Sequence, residues 1–346
     1  MANTPIVIPG KRIAIVRKVR AAWRTLTGGG RVPDAERRTL VACSGGADSS
    51  ALALALADTN QIVLAHVVHD MRPREDAFAD RDAVAQLASA LGVPFVWAEI
   101  RVHGSSTRPA GNTEARARTL RYAALAKLAT ENACPVVATA HHADDQLETI
   151  LMRLLRGSGP RGLGAIPPSR RLAPGVRLIR PMLSVSRAQC EELCATSGWT
   201  WREDATNADQ TRLRSAIRHA VVPALRAIRP DVASKAAQAA SLQRAAARVL
   251  TEQALSLMQQ ASRQGDALVW ERAVLADQPP IVLGELVRAA RSQVCSRGRR
   301  ERLSTDAMNP VIRAIRDNVG GSRIWQVAGL AIQIDAQSVR VSAASP

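Results

Sequence analysis

Residues 39–57 read TLVACSGGADSSALALALA. A short apolar run from Thr39 stops abruptly at Ser44-Gly45-Gly46, the pattern of a strand buried in a parallel sheet. Residues 49–57 alternate Ala and Leu, and period two alone would suggest another strand. Asp48 and Ser49 are good helix starters, however, and Ala and Leu are strong helix formers, so the spacing predicts a helix buried nearly all round. A strand that turns through glycines into a helix gathers backbone N–H groups and the positive helix end around one point, which suits an anion. The glycines allow the backbone the conformations such a turn needs. Ser44, Gly45, Gly46, Ala47, Asp48 and Ser49 are therefore the expected phosphate-binding residues. Asp48 is out of place beside phosphate unless it orients Mg²⁺ or the reacting group. No Gly-Lys-Ser/Thr follows, so this is not the P-loop of common ATPases.

Working outward, strands are predicted over 62–68, 94–100 and 135–140. Helices are predicted over about 75–91, with Gly92 and Pro94 as the stop, from Asn112 as N-cap to about 131, and over 144–156. This alternation predicts an α/β fold with a doubly wound, mostly parallel sheet, whose ligands sit beyond the carboxyl ends of the strands. Residues 157–175, rich in Gly, Pro and Arg, read as an exposed loop or an ordered clamp. Helices follow at 186–197 and 211–228. From about 231 the chain is Ala- and Gln-rich and helical, closing with strands 323–333 and 338–342 across a turn near Asp335. The basic stretch 11–26 is compatible with a targeting peptide, but Ile13, Val16, Val19 and Trp23 at helical spacing favour the first helix of the fold. At 346 residues the chain exceeds one ordinary core. The expected domains are an N-terminal extension at 1–35, a catalytic domain at 36–228 and a smaller, mainly helical accessory domain at 229–346.

The net charge is +17, and all but four of the 47 basic residues are Arg. Both sides of position 225 are basic, so a broad positive surface is expected, with an anionic macromolecule as partner. Aromatics make up only 3%, with Tyr122 the single Tyr, which disfavours a stacking platform for single strands. The five cysteines form no C-x-x-C pair, so neither a zinc site nor a disulfide framework is expected and a reducing, cytoplasmic setting fits. No apolar run reaches the roughly 18 residues that a membrane span requires.

A second motif, HHADDQLETILMRLLRGSG at 141–159, opens a helix. At about 100° per residue, Leu147, Ile150, Leu151 and Leu154 share one side, while Asp145, Glu148, Arg156 and, if the helix reaches back, His141 share the other. The acids also lie in the first turn, where the helix dipole favours them. Between the motifs, Arg118 and Arg121 share a helix face and suit phosphate.

Together these stretches, with NTEARARTLRY at 112–122, RPML at 180–183, WREDATN at 201–207 and the spacing of Arg214, Ile217, Arg218, Val221, Val222, Pro223 and Leu225, resemble the tRNA(Ile)-lysidine synthase family of PP-loop ATP pyrophosphatases. The resemblance runs from about 39 to 230. It implies the adenine nucleotide alpha hydrolase-like fold and a ligase that joins L-lysine to C2 of the wobble cytidine of tRNA(Ile) with a CAU anticodon. ATP first adenylates the tRNA, and AMP and pyrophosphate are the products. It implies ATP on Ser44–Ser49 with Arg118 and Arg121, and Asp48 and Asp145 as the essential acids. It further implies lysine on His141, Asp145 and Glu148, and Mg²⁺ held mainly by the ATP phosphates. Arg153, Arg156, Arg161, Arg202, Arg212 and Arg218 are the expected tRNA contacts, and Asp204 and Asn207 the expected braces. No membrane partner is expected, and a homodimer is left open. The competing readings are a PP-loop tRNA thiolase, for which Cys43 would be the nearest thiol, and a non-catalytic tRNA-binding relative.

Overall fold

The apolar run that opens the loop motif becomes β1 (Thr39–Ala42), the middle of a six-stranded sheet with β2 (Ile62–His69), β3 (Phe95–Ile100), β4 (Val136–Ala138), β5 (Ser169–Ala173) and β6 (Val176–Ile179). The order is β3-β2-β1-β4-β6-β5. β1 runs parallel to both neighbours, with Leu40 opposite Val63 and Val137, and only the edge strand β5 is antiparallel. The computed structural model describes residues 6–71, 73–102, 113–202, 212–295, 303–317 and 321–344.

Helices cover the sheet: α1 (Ala14–Leu26), α2 (Ala47–Ala57), α3 (Arg74–Leu91), α4 (Thr113–Glu131), α5 (Ala143–Leu154), the single turn α6 (Pro160–Leu163) and α7 (Arg187–Thr196). The Ala/Leu alternation is indeed a helix, and its Ala51 to Leu56 are fully buried. That burial on every side explains why no amphipathic stripe marks it. α1 contributes Val16, Val19 and Trp23 to the same core, and the Trp23 indole donates to Thr39 Oγ1 at 3.0 Å. Ile13 differs from expectation: it caps the helix and is exposed, and Ile15 is buried instead.

The stretch expected as loop at 157–175 holds α6 and the start of the β5–β6 hairpin. The strand signal was masked because β5 carries Arg170 and Arg171 on an exposed edge. Helix 211–228 is described from Arg212 and is broken: α8 (Arg212–Ala216), a π-helical turn (Ile217–Val221) and α9 (Val222–Ile228). Asp204 and Asn207 lie outside the described residues, as does Asn112.

The chain forms two compact units, residues 1–242 and 243–346, whose boundary falls within α10 (Val232–Met258). The second unit has α11 (Arg272–Ala276), α12 (Pro280–Val294) and α13 (Thr305–Arg316) with a five-stranded antiparallel sheet. Its strands are β7 (Ser262–Gln264), β8 (Ala267–Glu271), β9 (Arg323–Val327), β10 (Leu330–Ile334) and β11 (Ser338–Ala343), in the order β7-β8-β11-β10-β9. The single strand expected over 323–333 is a hairpin. Ala328 and Gly329 both take positive φ (50° and 78°), which makes a two-residue reversal of the kind that matches strand twist. Among the described residues no helix is long and apolar enough to cross a membrane.

Candidate active site

The strand order reverses at β1. From β1 the chain moves to β2 and β3 on one side, and β4 and β6 lie on the other. Adjacent strands whose following segments depart in opposite directions leave a crevice at their carboxyl ends, where ligands of open α/β sheets bind. Here that crevice is lined by the loop after β1 and by residues 139–142 after β4.

The loop is held by its own side chains. Ser49 Oγ accepts the Ser44 N–H at 3.1 Å, donates to the Gly46 carbonyl at 3.0 Å and lies 3.2 Å from Ser44 Oγ. Gly45 has φ +89°, a conformation strained for any residue with a Cβ. Its carbonyl accepts the Arg202 N–H at 3.1 Å. His66 from β2 supports the base of the loop, with Nδ1 2.9 Å from the Cys43 carbonyl. Burial holds His66 below the usual imidazole range, and it is neutral.

The acidic helix starts at Ala143, so His141 precedes α5 and does not extend its face. His141 instead faces Thr139, Nδ1 to Oγ1 at 3.1 Å. Burial pushes its pKa down to about 4, against the pull of Asp145 and with help from Arg180, Arg118 and Arg214. His142 behaves oppositely. Burial disfavours its charge, but Asp144, Asp145 and Asp48 outweigh burial and raise its pKa to about 10. The His142 ring is 3.3 Å from Asp48, 3.5 Å from Asp144 and 3.7 Å from Asp145. One imidazolium thus joins the acid of the loop to the acids of the helix.

Asp144, Asp145 and Glu148 also meet arginines from the broken helix. Arg214 donates to Glu148 at 2.8 Å and to Asp145 at 2.9 Å, Arg218 donates twice to Glu148 at 2.7 and 3.2 Å, and Arg226 pairs with Asp144. Asp144 also accepts the Arg187 N–H at 2.8 Å. Burial opposes ionisation of Asp144 and Asp145, yet His142 and these arginines hold both well below the usual carboxylate range. Four carboxylates, Asp48, Asp144, Asp145 and Glu148, thereby face four cations, His142, Arg214, Arg218 and Arg226.

The sequence-derived site residues therefore divide. Ser44 to Ser49, Asp48, His141, Asp145 and Glu148 come together in one crevice. Glu148 is 3% exposed and satisfied by two arginines. Arg118 lies over the Tyr122 ring, 5.2 Å from its centroid, and its charge is felt at His141, while that of Arg121 is felt at His66. Arg153 ties α5 to the segment after it through the Gly162 and Ala165 carbonyls. Arg156 and Arg161 are exposed. The Arg202 side chain is on Asp80 at 2.7 Å, Arg218 is on Glu148, and the Arg212 side chain is not among those described. Sequence reasoning gave no role to His142, Asp144 or Arg226 and used Arg214 only as part of the motif spacing. One signal was present: acids three apart in one helix and arginines four apart in another are matching spacings.

Comparison with known proteins follows this geometry. The PP-loop domain family matches residues 17–225. The chain is 34% identical over 287 residues to the tRNA(Ile)-lysidine synthase of Methylobacterium nodulans, covering 78% of this chain and 79% of that one. It is 35% identical over 334 residues to the synthase of Salinispora arenicola, covering 93% and 96%. It also matches the longer synthase of Geobacter sulfurreducens at 37% identity, covering 74% of this chain and 54% of the relative. Among solved structures, a U34-tRNA thiolase from Methanococcus maripaludis with its [4Fe-4S] cluster superimposes with a TM-score of 0.51 at 16% identity, over 66% of this chain and 79% of that one. That likeness is one of fold.

Proposed function

The chain belongs to the tRNA(Ile)-lysidine synthase family of PP-loop proteins, and on that premise we propose how its crevice works. It is an ATP-using ligase that modifies tRNA. The finer reading is that it joins L-lysine to C2 of the wobble cytidine of a tRNA(Ile) with a CAU anticodon, in the cytoplasm. The observation that carries this reading is the juncture of the loop after β1 with the helix after β4 through His142, at 3.3 Å from Asp48 and 3.7 Å from Asp145.

Backbone N–H groups of Gly45 to Ser49 and the start of α2 receive the ATP phosphates, with Arg118 and Arg121 as further cations. Cytosine O2 attacks the α-phosphorus, and pyrophosphate leaves. Asp48 Oδ1 is buried without a hydrogen-bond partner, and a hard carboxylate oxygen fits Mg²⁺, so Asp48 would hold the ion together with the phosphates. Bound there, Mg²⁺ would neutralise charge on the departing pyrophosphate. His142 keeps the Asp48 carboxylate turned to the crevice.

In the second half the ε-amine of lysine attacks C2, and the C2–O2 bond breaks to release AMP. Asp145 is ionised and attracts the ammonium. Glu148, already engaged by Arg214 and Arg218, contributes to the lysine site by fixing those arginines. The ammonium must lose a proton to act as a nucleophile, and neutral His141 and Asp145 are the groups placed to receive it. The same reading assigns catalysis to residues 36–228, an accessory tRNA-binding role to 229–346, and an N-terminal extension to 1–35.

A thiolase would need an accessible thiolate. Cys43, Cys190 and Cys194 are buried, and burial raises all three thiols, Cys194 to about 12. The deciding assay mixes the protein with ATP, Mg²⁺, labelled L-lysine and a CAU-anticodon tRNA(Ile) transcript. Lysine-dependent label on the tRNA with AMP and pyrophosphate formed is expected. Sulfur transfer from a persulfide donor without lysine incorporation, or tRNA binding without ATP turnover, would sink the reading.

A further inference from the structure

A second group of charges beside the crevice has the opposite character from the acidic one. Tyr122 of α4 is covered by two guanidinium groups, Arg118 at 5.2 Å and Arg170 of β5 at 4.6 Å from the ring centroid. Arg118 also donates to the Tyr122 hydroxyl at 3.2 Å. Arg180 follows β6 directly, so it sits at the carboxyl end of the strand next to β4. Its residue is only 3% exposed. It is pinned by its Nη1 donating to the Pro167 carbonyl at 2.7 Å, and its charge acts on Tyr122 and His141.

None of Arg118, Arg170 and Arg180 has a carboxylate in ion-pair range among the described residues, nor do Arg171 and Arg177 on the same hairpin. The buried Nε of Arg180 has no hydrogen-bond partner there either. A buried N–H without an acceptor is unfavourable, so an external acceptor is its natural complement. Arg170 lies opposite Leu178, on the face of the hairpin that carries Tyr122, and is exposed, whereas Arg171 and Arg177 pair with each other on the opposite face. One carboxylate, such as that of free lysine, would use one or two of these groups. A buried and an exposed arginine on one face, neither with a carboxylate, fit successive phosphates of a polymer.

We infer that Arg180 and Arg170, gathered at Tyr122, form a subsite for the RNA phosphodiester backbone beside the reacting base. The inference rests on the tRNA-modifying reading above and adds where the backbone lies. The guanidinium groups position the strand and do not read sequence.

The test uses the full chain and three variants: Arg170→Gln, on the exposed strand, and Arg180→Gln and Arg180→Lys at the buried position. Dissociation constants for the CAU-anticodon tRNA are measured between about 50 and 200 mM salt, with thermal melting as the check on folding. Arg170→Gln and Arg180→Gln should each weaken binding and reduce the slope of log affinity against log salt by about one, while Arg180→Lys keeps the slope. KM for ATP and for lysine should stay unchanged. An unaltered slope in folded Arg170→Gln would overturn the subsite. So would a rise in KM for lysine with tRNA affinity unchanged, which would mark a carboxylate pocket. If the parent chain bound tRNA with the expected slope and the variants lost it, yet no lysine were transferred, the subsite would stand and the lysine chemistry would fall. Lysine transfer with tRNA binding unmoved in every variant would give the reverse.

Discussion

The acidic crevice and the Tyr122 cluster lie side by side and solve opposite electrostatic problems. In the crevice each carboxylate has a cation from another part of the chain: Asp144 has His142 and Arg226, and Glu148 has Arg214 and Arg218. Around Tyr122 the arginines share a ring and lack acids among the described residues. Charges matched internally fix a geometry, whereas charges left unmatched at a partly exposed site await an anion from outside. The total of +17 hides this division, because a sum over the chain cannot say which cations are already spent.

The strongest way to break the comparison is to unbalance the matched side. Asp48→Asn should reduce lysine transfer by at least about a hundredfold while the protein still melts cooperatively, since the proposed mechanism gives Asp48 a part in the reaction and Asp48 is only one of three acids around His142. Activity retained within a few-fold would remove Asp48 from the chemistry. Glu148→Ala strands Arg214 and Arg218 without their main partner, and stability should fall by about 3 kcal/mol, read as a lower denaturant midpoint. A shift no larger than that of an exposed pair would mean solvent already screens the crevice.

The two adjacent histidines give a finer test. His142 has a raised pKa, so its stabilisation is fully present below about 6.5, the unfolded imidazole value, and is lost as pH climbs toward about 10. His141 has a lowered pKa, so the folded state resists a proton that the unfolded chain accepts, and stability is lost as pH falls from about 6.5 toward about 4. Asp144, held low, adds loss only at still lower pH. Urea midpoints measured against pH in a metal-free chelating buffer should therefore peak near neutrality. His142→Asn should flatten the alkaline limb, and His141→Asn the upper part of the acid limb. An alkaline limb that persists in His142→Asn would show that its charge is not the cause. The smallest expected effect is the control: Lys127 and Glu131, paired at 3.8 Å on an exposed face of α4, should contribute within about 0.5 kcal/mol when Lys127 becomes Ala.

Much of this arrangement was legible beforehand. The strand, glycine loop and buried helix at 39–57 could be read because local propensity and hydrophobic period agree there. The β5–β6 hairpin escaped because Arg170 and Arg171 on the edge strand, and Arg177 on its inner neighbour, break the apolar pattern that marks a strand. The β9–β10 turn at Ala328-Gly329 escaped because a two-residue reversal leaves the apolar run unbroken. Glu148 was expected to be a lysine-binding acid, and its pairing with Arg214 and Arg218 was not foreseen.

By itself the sequence determined the loop, the helix that follows it, the acids in the first turn of α5 and the excess of positive charge, because each is a property of neighbouring residues or of composition. Only the tertiary structure decided which charges cancel. Glu148 meets Arg218 across 70 residues of chain and Asp144 meets Arg226 across 82, while Arg170 and Arg180 meet no acid among the described residues. Coulomb energy and desolvation depend on distance and burial in space, and neither is set until the strands have ordered themselves in the sheet.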